Sequence, residues 1–385
     1  MESLKDLFLL DPSVVFLNHG SFGACPKPVL AAYQEWQCRL ERQPVEFLGR
    51  ELAGHLLSAR QALGSYLGAP AENLVFIPNA TYGVNAVARS LDLKPGDEII
   101  TTDHEYGACD KTWQYLCARQ GAAYKRQPIP LPAPSKDEIL EQIWAGVSER
   151  TRLIFCSHIT SPTALTLPVA DLCQRARREG ILTLVDGAHA PGHIDLDLQS
   201  IQADFYTGNC HKWMLAPKGS AFLYARGERQ SLLEPLVVSW GWQAAADFTA
   251  GSRFVDLYQW RGTDDPSACL AVPAAIQFMA GHRWEEVRAN CRMLLAQAIE
   301  RLAAATGLPP VYPEPASSFA QMAVVEIPFQ MDLKGLKERL YAKYRVEVPL
   351  LEWNGRHFAR ISVQGYNSAS DLDRLTVALT ALLCN

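Results

Sequence analysis

Two neighbouring stretches of the sequence decide its fold: ILTLVDGAHAPG at residues 181–192 and ADFYTGNCHKWMLAPKG at residues 203–219. Each begins with a short apolar run typical of a buried strand and then turns polar, with Asp186 in the first and Lys212 in the second. Ligand sites in open α/β sheets lie at the carboxyl ends of strands. The two stretches therefore predict a ligand site that contains Asp186 and Lys212.

The sequence before these stretches repeats an alternation of helix and strand. Amphipathic segments alternate with short β-branched, apolar runs: NLVFIP (73–78), DEIITT (97–102) and TRLIFCSH (151–158), with GSAFLYA (219–225) following the second stretch. Such strands are typical of a mostly parallel sheet covered on both faces. The pattern predicts an α/β protein with helices over 59–67, 81–90, 107–120, 136–146 and 168–179.

The rest of the chain has a different organisation. The proline-rich segment 128–138 is predicted to be a surface loop. A long helix through 266–304 is predicted to lead to a smaller α+β unit with strands at 321–328 and 358–364 and a closing helix at 369–383. We predict three parts: an N-terminal segment associated with the small domain, a large domain, and an interdomain helix with the small C-terminal domain, at 1–15, 16–265 and 266–385.

Composition and charge exclude several classes of partner. Of the 385 residues, 48% are hydrophobic and 20% charged, and the net charge of -5 offers no field attractive to nucleic acid or anionic lipid. No apolar stretch approaches the roughly 20 residues that span a bilayer. The ten cysteines include no CxxC pair, and the N-terminus lacks the basic end of a signal peptide. These features predict a cytoplasmic protein with reduced thiols and neither nucleic-acid nor membrane partners.

The chemistry of Asp186 and Lys212 has more than one interpretation. A lysine at the floor of an α/β cleft has a lowered pKa when partly desolvated, and its amine can then form an imine. A surface lysine and a helix-capping aspartate are the structural alternatives. A metal site built from Asp186, His189, His193 and Asp195 is a third, but no helical histidine pair or CxxC supports it. We therefore predict no metal.

Two further motifs resemble anion sites. IPNATYGVNAV (77–87) places Ala80 and Thr81 at the start of a helix, where unpaired N–H groups and a hydroxyl can hold a phosphate. WRGTDDP (260–266) offers Gly262 and Thr263 before a proline-started helix. Simple helix caps would explain either motif.

Together, FLNHGSFGACP (16–26), DGAHAPG, the HK pair, RGT and ARISVQGYN (359–367) resemble the class V aminotransferase family of fold-type I pyridoxal-phosphate enzymes, and within it the isopenicillin N epimerase-like branch. The resemblance covers nearly the whole chain. It implies the PLP-dependent transferase fold of type I, pyridoxal 5'-phosphate as cofactor and a homodimer with active sites at its interface.

The resemblance also assigns roles to residues at the cofactor. It implies that Lys212 holds the cofactor as an imine, that Asp186 keeps the pyridine nitrogen protonated, and that His189 bonds the phenolic oxygen. Tyr106 would stack on the ring, with His104 as the competing candidate. Thr263 would reach the phosphate of the neighbouring subunit. The residues that would bind the cofactor's phosphate end come from several segments: Ala80, Thr81, Asn209, His211, Gly262 and Thr263.

The substrate implied by the resemblance is an amino acid. Arg360 would bind its carboxylate, a task suited to a bidentate guanidinium, although a surface arginine on an edge strand is the alternative. Asn18, His19 and Ser161 are further candidates for the substrate pocket. A turn at the domain junction would explain Asn18 and His19 nearly as well.

The family's shared steps are an external aldimine and a quinonoid, after which the reaction diverges. Epimerisation is our first prediction, β-elimination by a C–S lyase the second and transamination the third. Tyr106 or His104 would supply the second acid or base. A cysteine desulfurase is disfavoured because no cysteine lies between Cys291 and Cys384. Two rival classes remain. One is a non-catalytic binding scaffold, and the other is a metallohydrolase that would use His104, His158, His189 and His193.

Overall fold

The computed structural model describes residues 4–245, 249–313 and 318–383, and its strands form three sheets. In chain order the strands are β1 (Val15–Phe16), β2 (Leu74–Ile77), β3 (Glu98–Thr102), β4 (Ala123–Gln127), β5 (Thr151–Ser157), β6 (Leu182–Asp186), β7 (Phe205–Asn209), β8 (Ala221–Ala225), β9 (Met322–Ile327), β10 (Val346–Glu347), β11 (Leu350–Trp353) and β12 (Arg356–Ser362).

The central sheet has the strand order β2-β8-β7-β6-β5-β3-β4. Strand β8 is antiparallel to both of its neighbours, whereas the pairs from β7 to β4 are parallel. This arrangement confirms the predicted mostly parallel mixed sheet. Strands β6 and β7 are adjacent and in register, with Asp186 beside Thr207. Their carboxyl ends therefore open at the same edge of the sheet.

The helices cover the sheet and join it to the smaller unit. They are α1 (His19–Phe22), α2 (Lys27–Arg42), α3 (Pro44–Glu46), α4 (Leu52–Leu67), α5 (Ala80–Ser90), α6 (Gly107–Gln120), α7 (Lys136–Trp144), α8 (Val169–Arg178), α9 (Leu198–Ile201), α10 (Arg253–Gln259), α11 (Ser267–Leu270), α12 (Val272–Gly281), α13 (Trp284–Thr306), α14 (Leu333–Tyr344) and α15 (Ala369–Leu383).

The smaller unit is built on an antiparallel sheet of order β11-β12-β9. The N-terminal segment lies against this unit: β1 pairs with β10, and the ring of Phe8 packs edge-on against Tyr366 with the centroids 4.9 Å apart. These contacts place part of the segment, from Phe8 to Phe16, beside the smaller unit; the association of residues 1–15 as a whole stays a prediction. The domain boundaries themselves stay a prediction.

Two predictions of local structure were wrong. The single helix 266–304 is three helices, because Pro273 lies in the first turn of α12, which starts at Val272, and Arg283, with φ 49°, takes the left-handed conformation between α12 and α13. The segment 128–138 is not wholly a surface loop, since Ile129 is buried and Ser135 opens α7 with a capping box.

Candidate active site

A cavity of about 400 Å³ lies at the carboxyl ends of β6 and β7. Asp186 ends β6 and Lys212 follows β7 by three residues, so the strand register brings both side chains to the cavity. The N-terminus of α5 forms another wall. Several predicted site residues line the cavity together: Ala80, Thr81, Tyr106, Ser161, Asp186, His189, Asn209, His211 and Lys212.

The amine of Lys212 opens into the cavity and has a lowered pKa. Burial, reinforced by the charge of Arg360, lowers the Lys212 pKa from 10.5 to about 8. Its Nζ lies 3.2 Å from Nε2 of His189. An appreciable fraction of the amine is therefore neutral near physiological pH, which is the form that attacks a carbonyl.

The main chain of Lys212 is held by residues from both ends of the chain. The Nε2–H of His19 donates to the Lys212 carbonyl over 3.0 Å, and the Tyr366 hydroxyl donates to Nδ1 of His19 over 2.9 Å. Gly23, with φ 71°, packs so closely that a Cβ there would lie 2.3 Å from the His211 carbonyl oxygen. Only glycine fits this left-handed, crowded position.

Asp186 is a buried carboxylate with one strong internal hydrogen bond. Its Oδ1 accepts from the backbone N–H of Ala188 over 2.9 Å, while Oδ2 lies 3.5 Å from the thiol of Cys109. Burial raises the pKa of Asp186. A thiol is a weak donor, so Oδ2 keeps the capacity to accept a hydrogen bond from a protonated ring nitrogen.

The start of α5 presents hydrogen-bond donors to the cavity. Asn79 caps the helix by accepting from the N–H of Tyr82 over 2.9 Å. Oδ1 of Asn209 accepts a hydrogen bond from the Ala80 N–H over 2.9 Å. The NH₂ group of Asn209 therefore points away from Ala80 and does not take part in that bond. With Thr81 beside it, this arrangement suits a phosphate. The N–H of Ala80 serves to orient Asn209.

His211 completes the same wall. Its Nδ1–H donates to the carbonyl of Ser220 over 3.0 Å, and burial lowers the His211 pKa to about 4. Nε2 is therefore unprotonated at neutral pH. It must take up a proton before it can donate to a phosphate, and a bound dianion would favour that uptake.

Arg360 is a buried cation in β12. It donates to the carbonyl of Ser161 over 2.6 Å and to the hydroxyl of Ser21 over 3.0 Å, while its Nε has no partner among the described residues. Burial lowers its pKa to about 10. No ion pair joins Arg360 to a carboxylate within the described ranges. A buried guanidinium in this situation is stabilised by an anionic ligand.

Tyr106 and His104 are separated by the structure. Tyr106 lines the cavity and is 47% exposed, whereas His104 is fully buried elsewhere. Nε2–H of His104 donates to the Ile129 carbonyl over 2.8 Å, and its Nδ1 accepts from Thr163 over 2.6 Å. The prediction that His104 stacks on the ring or transfers a proton is therefore wrong. His104 does not line the cavity, and both of its ring nitrogens are hydrogen-bonded to residues outside it.

Other candidates are also placed outside the cavity. His19 supports Lys212 from behind, and Asn18 donates to Glu347 over 3.3 Å. Neither lines the cavity, so their prediction as substrate-pocket residues is not supported; His19 contacts a residue of the cavity through the Lys212 carbonyl. Gly262 and Thr263 do not line it either; Thr263 is exposed. Their predicted contact with a neighbouring subunit stays a prediction.

Sequence reasoning missed several residues at the cavity. Ser21 and Phe22 line it, and Phe22 is 71% exposed at its edge. Glu105 lies close by with its carboxylate bonded to Ser157, and burial raises its pKa to about 8. The NHGSFG motif was a usable signal for Ser21 and Phe22. No pattern singled out Glu105.

Within the described residues, no group of three side chains could hold a metal ion. His158, one of the histidines of the rival metallohydrolase, bonds the Tyr206 hydroxyl through Nδ1 at 2.9 Å.

Among the helices of the described part of the chain, none is long and apolar enough to cross a membrane.

Comparison with known proteins identifies the family to which the chain belongs. A model of the Aminotransferase class-V family matches residues 23–375. The chain is 39% identical to isopenicillin N epimerase of Amycolatopsis lactamdurans, covering 97% of this chain and 96% of that protein. It is 30% identical to a probable chloroplastic L-cysteine desulfhydrase of Arabidopsis thaliana, covering 97% and 84%. The fold of the cystine C–S lyase C-DES aligns with a TM-score of 0.82 at 22% identity, covering 96% of this chain and 98% of that one.

The side chains of the cavity fit the family's cofactor, pyridoxal 5'-phosphate. Lys212 offers an amine with a lowered pKa, Asp186 a buried acceptor for a pyridinium, and α5 with Asn209 a set of donors for a phosphate. The chain belongs to the class V aminotransferase family and is a pyridoxal-phosphate-dependent, isopenicillin N epimerase-like enzyme acting at the α-carbon of an amino acid.

Proposed function

We propose that this enzyme inverts the α-carbon of an L-α-amino acid. The observation that carries the proposal is the buried Arg360, which has no carboxylate partner among the described residues and lines a cleft together with Tyr106 and Ser161, two residues that also line the cavity of Lys212. A substrate carboxylate on Arg360 would bring the α-carbon toward the Lys212 amine. The identity of 39% with an isopenicillin N epimerase, against 30% with a cysteine desulfhydrase, favours epimerisation.

In the proposed reaction, different residues of the chain bind the substrate and transfer protons. Arg360 binds and orients the carboxylate, and Lys212 removes the α-proton as the neutral amine. Tyr106, at the mouth of the same cavity, would return a proton to the opposite face. When bound, pyridoxal phosphate supplies an electron sink for the α-carbanion. Asp186 would preserve that property by accepting a hydrogen bond from the ring nitrogen, and Thr81, Asn209 and His211 would hold the phosphate.

The space beside the cavity supports a substrate with an extended side chain. A second cleft of about 600 Å³ shares Tyr106 and Ser161 with the cavity and is also lined by Arg360. Pro128, Leu351 and Trp353 contribute apolar surface to this cleft, whose other lining residues are mostly polar or charged. An amino acid anchored through its carboxylate on Arg360 could extend a long side chain there. We propose that isopenicillin N and related δ-amides of α-aminoadipate are better substrates than alanine.

A second candidate is β-elimination from a cysteine derivative. The 30% identity with the probable L-cysteine desulfhydrase supports it, and Tyr106 could protonate a leaving sulfur. Desulfuration through an enzyme persulfide lacks support: Cys291 is the last cysteine of the described residues, and it is buried in α13. Transamination is the third outcome of the same carbanion.

The assay is a panel of L-amino acids incubated with the holoenzyme in D₂O. We expect α-deuteration together with the D-enantiomer, and stronger turnover with long δ-amides. Pyruvate release from cysteine derivatives without enantiomer formation would instead establish the lyase, and a keto acid formed only with an acceptor would establish the aminotransferase. Lys212→Ala must abolish whichever reaction is seen. A panel without any α-exchange contradicts the proposal.

We further propose a cytoplasmic homodimer in which Thr263 of one subunit contacts the phosphate bound by the other. Thr263 is exposed. The segment before α10 carries exposed apolar side chains, including Val238 and Trp242. Sedimentation should give twice the mass of the chain. Thr263→Ala should raise the cofactor dissociation constant without changing that mass; a monomer with full cofactor affinity would refute the arrangement.

A further inference from the structure

The indole of Trp213 is directed at the histidine that contacts Lys212. Trp213 is fully buried, and its Nε1 lies 3.3 Å from Nδ1 of His189. An indole N–H can only donate a hydrogen bond. Nδ1 of His189 must therefore accept, and the single proton of the neutral imidazole lies on Nε2.

That assignment fixes the direction of the next hydrogen bond. Nε2 of His189 is 3.2 Å from Nζ of Lys212. With a proton on Nε2, His189 donates and Lys212 accepts, which requires the neutral amine. The pKa directions agree: burial and the nearby lysine lower the pKa of His189, and burial lowers that of Lys212. Both groups are neutral in this arrangement, which the Lys212 amine adopts increasingly as the pH rises toward about 8.

The orientation of Trp213 is itself held from the small domain. The His193 ring stacks on Trp213 at 3.8 Å and 15°. Nε2 of His193 accepts the backbone N–H of Gln321 over 2.7 Å, and its Nδ1–H donates to the carbonyl of His189 over 2.9 Å. Each of these bonds has one possible direction because a backbone N–H only donates and a carbonyl only accepts. The hydrogen bonds of His193 and His189 between Gln321 and Lys212 can therefore all form at the same time.

We propose that Trp213 is a positioning residue that keeps neutral His189 protonated on Nε2, so that His189 acts as a hydrogen-bond donor in the active site and not as a base. The donor would serve the Lys212 amine in the free protein and the phenolic oxygen of the cofactor in the loaded enzyme. The inference rests on the cofactor-dependent activity of the site and is independent of whether epimerisation or elimination follows.

The chain provides a matched control for this role. Trp113 in α6 is also fully buried, but its indole N–H has no partner among the described residues. Trp113→Phe and Trp213→Phe remove the same atoms from a buried site. Only Trp213→Phe removes a donor to His189, so effects confined to that variant report the hydrogen bond and not the loss of volume.

The first readout is the ¹⁵N spectrum of histidine-labelled holoenzyme and cofactor-free protein, with the His189 signals assigned from His189→Gln. In the wild type and in Trp113→Phe we expect an unprotonated Nδ1 and a protonated Nε2. In Trp213→Phe we expect a mixture of the two tautomers. A wild-type His189 protonated on Nδ1, or an unchanged spectrum in Trp213→Phe, overturns the proposal.

The second readout is the pH midpoint of the cofactor's visible absorbance change. Loss of a donor to the phenolic oxygen should raise that midpoint by about 0.5 to 1 pH unit in Trp213→Phe. Trp113→Phe should leave it unchanged. Should Trp213→Phe fail to fold, β-(3-benzothienyl)alanine at position 213 keeps the shape of the indole and lacks the N–H. Equal midpoints in the wild type and this variant, or equal shifts in both phenylalanine variants, overturn the proposal.

Discussion

Replacing Lys212 by methionine should stabilise the cofactor-free protein. The folded chain lowers the pKa of this lysine from 10.5 to about 8, so the protonated amine is less stable in the fold than in the unfolded chain. Methionine is similar in length and carries no charge. The variant loses covalent cofactor binding, but its polypeptide no longer has to bury an ammonium group.

The size of the effect follows from the pKa difference. At 1.36 kcal/mol per pKa unit, the protonated lysine costs about 3 kcal/mol of unfolding free energy at pH 7. Because the side chain opens into the cavity and retains some solvent, we expect about 1–2 kcal/mol. The unfolded chain binds the proton more tightly than the folded chain between about pH 8 and 10.5, so wild-type stability rises with pH across that window. The advantage of methionine should fall below about 1 kcal/mol at pH 10.

Urea unfolding of both cofactor-free proteins, at one protein concentration and at pH 7 and pH 10, measures this difference. Lys111→Met is the matched control because Lys111 is exposed in α6; its stability difference should not follow the same pH dependence. A Lys212→Met protein that is no more stable than wild type at pH 7, or whose advantage is equal at pH 7 and pH 10, would refute the reasoning.

Three further predictions concern the substrate, the cofactor and the backbone. Arg360→Met should lower kcat/KM by about 100-fold, mainly through KM, since two charge-assisted bonds to a carboxylate are lost; an unchanged KM in steady-state assays would exclude Arg360 as the carboxylate anchor. Asn209→Ala should raise the cofactor dissociation constant roughly tenfold, measured by fluorescence titration, because the amide donors disappear. Gly23→Ala should lower the unfolding free energy by at least about 1 kcal/mol more than Gly96→Ala in urea titrations, since both glycines have positive φ but only Gly23 is crowded by the His211 carbonyl; equal losses would show that crowding is unimportant.

The sequence predicted the parts of the site that follow from strand ends and helix starts. Asp186 and Lys212 follow apolar strands, and Thr81 lies in the first turn of a capped helix, so local patterns placed all three near one edge of the sheet. His104 could not be placed in this way. Strand β3 ends at Thr102, and the alternation of side chains ceases before residue 104. Its buried bonds come from distant segments, around Ile129 and Thr163.

Other differences arise from contacts that are distant in sequence. The break of the predicted helix depends on Arg283, a residue other than glycine in the left-handed conformation; Gly281, two positions earlier, was a usable signal. The role of His19 depends on Tyr366, and that of Trp213 on the histidines of the loop after β6. A motif can show that such residues are unusual, but the direction of each hydrogen bond requires three-dimensional positions.

The support of Lys212 by both ends of the chain has a consequence for biosynthesis. His19 and Tyr366 are 347 positions apart, and together they fix the carbonyl of Lys212. On the ribosome, the strands of the central sheet emerge long before Tyr366 and Arg360 are translated. A nascent chain can therefore form most of the large sheet while its lysine backbone still lacks this support. Full competence for cofactor and substrate requires translation past Tyr366, so ribosome-stalled chains ending before Tyr366 should load the cofactor less well than stalled chains that extend beyond it.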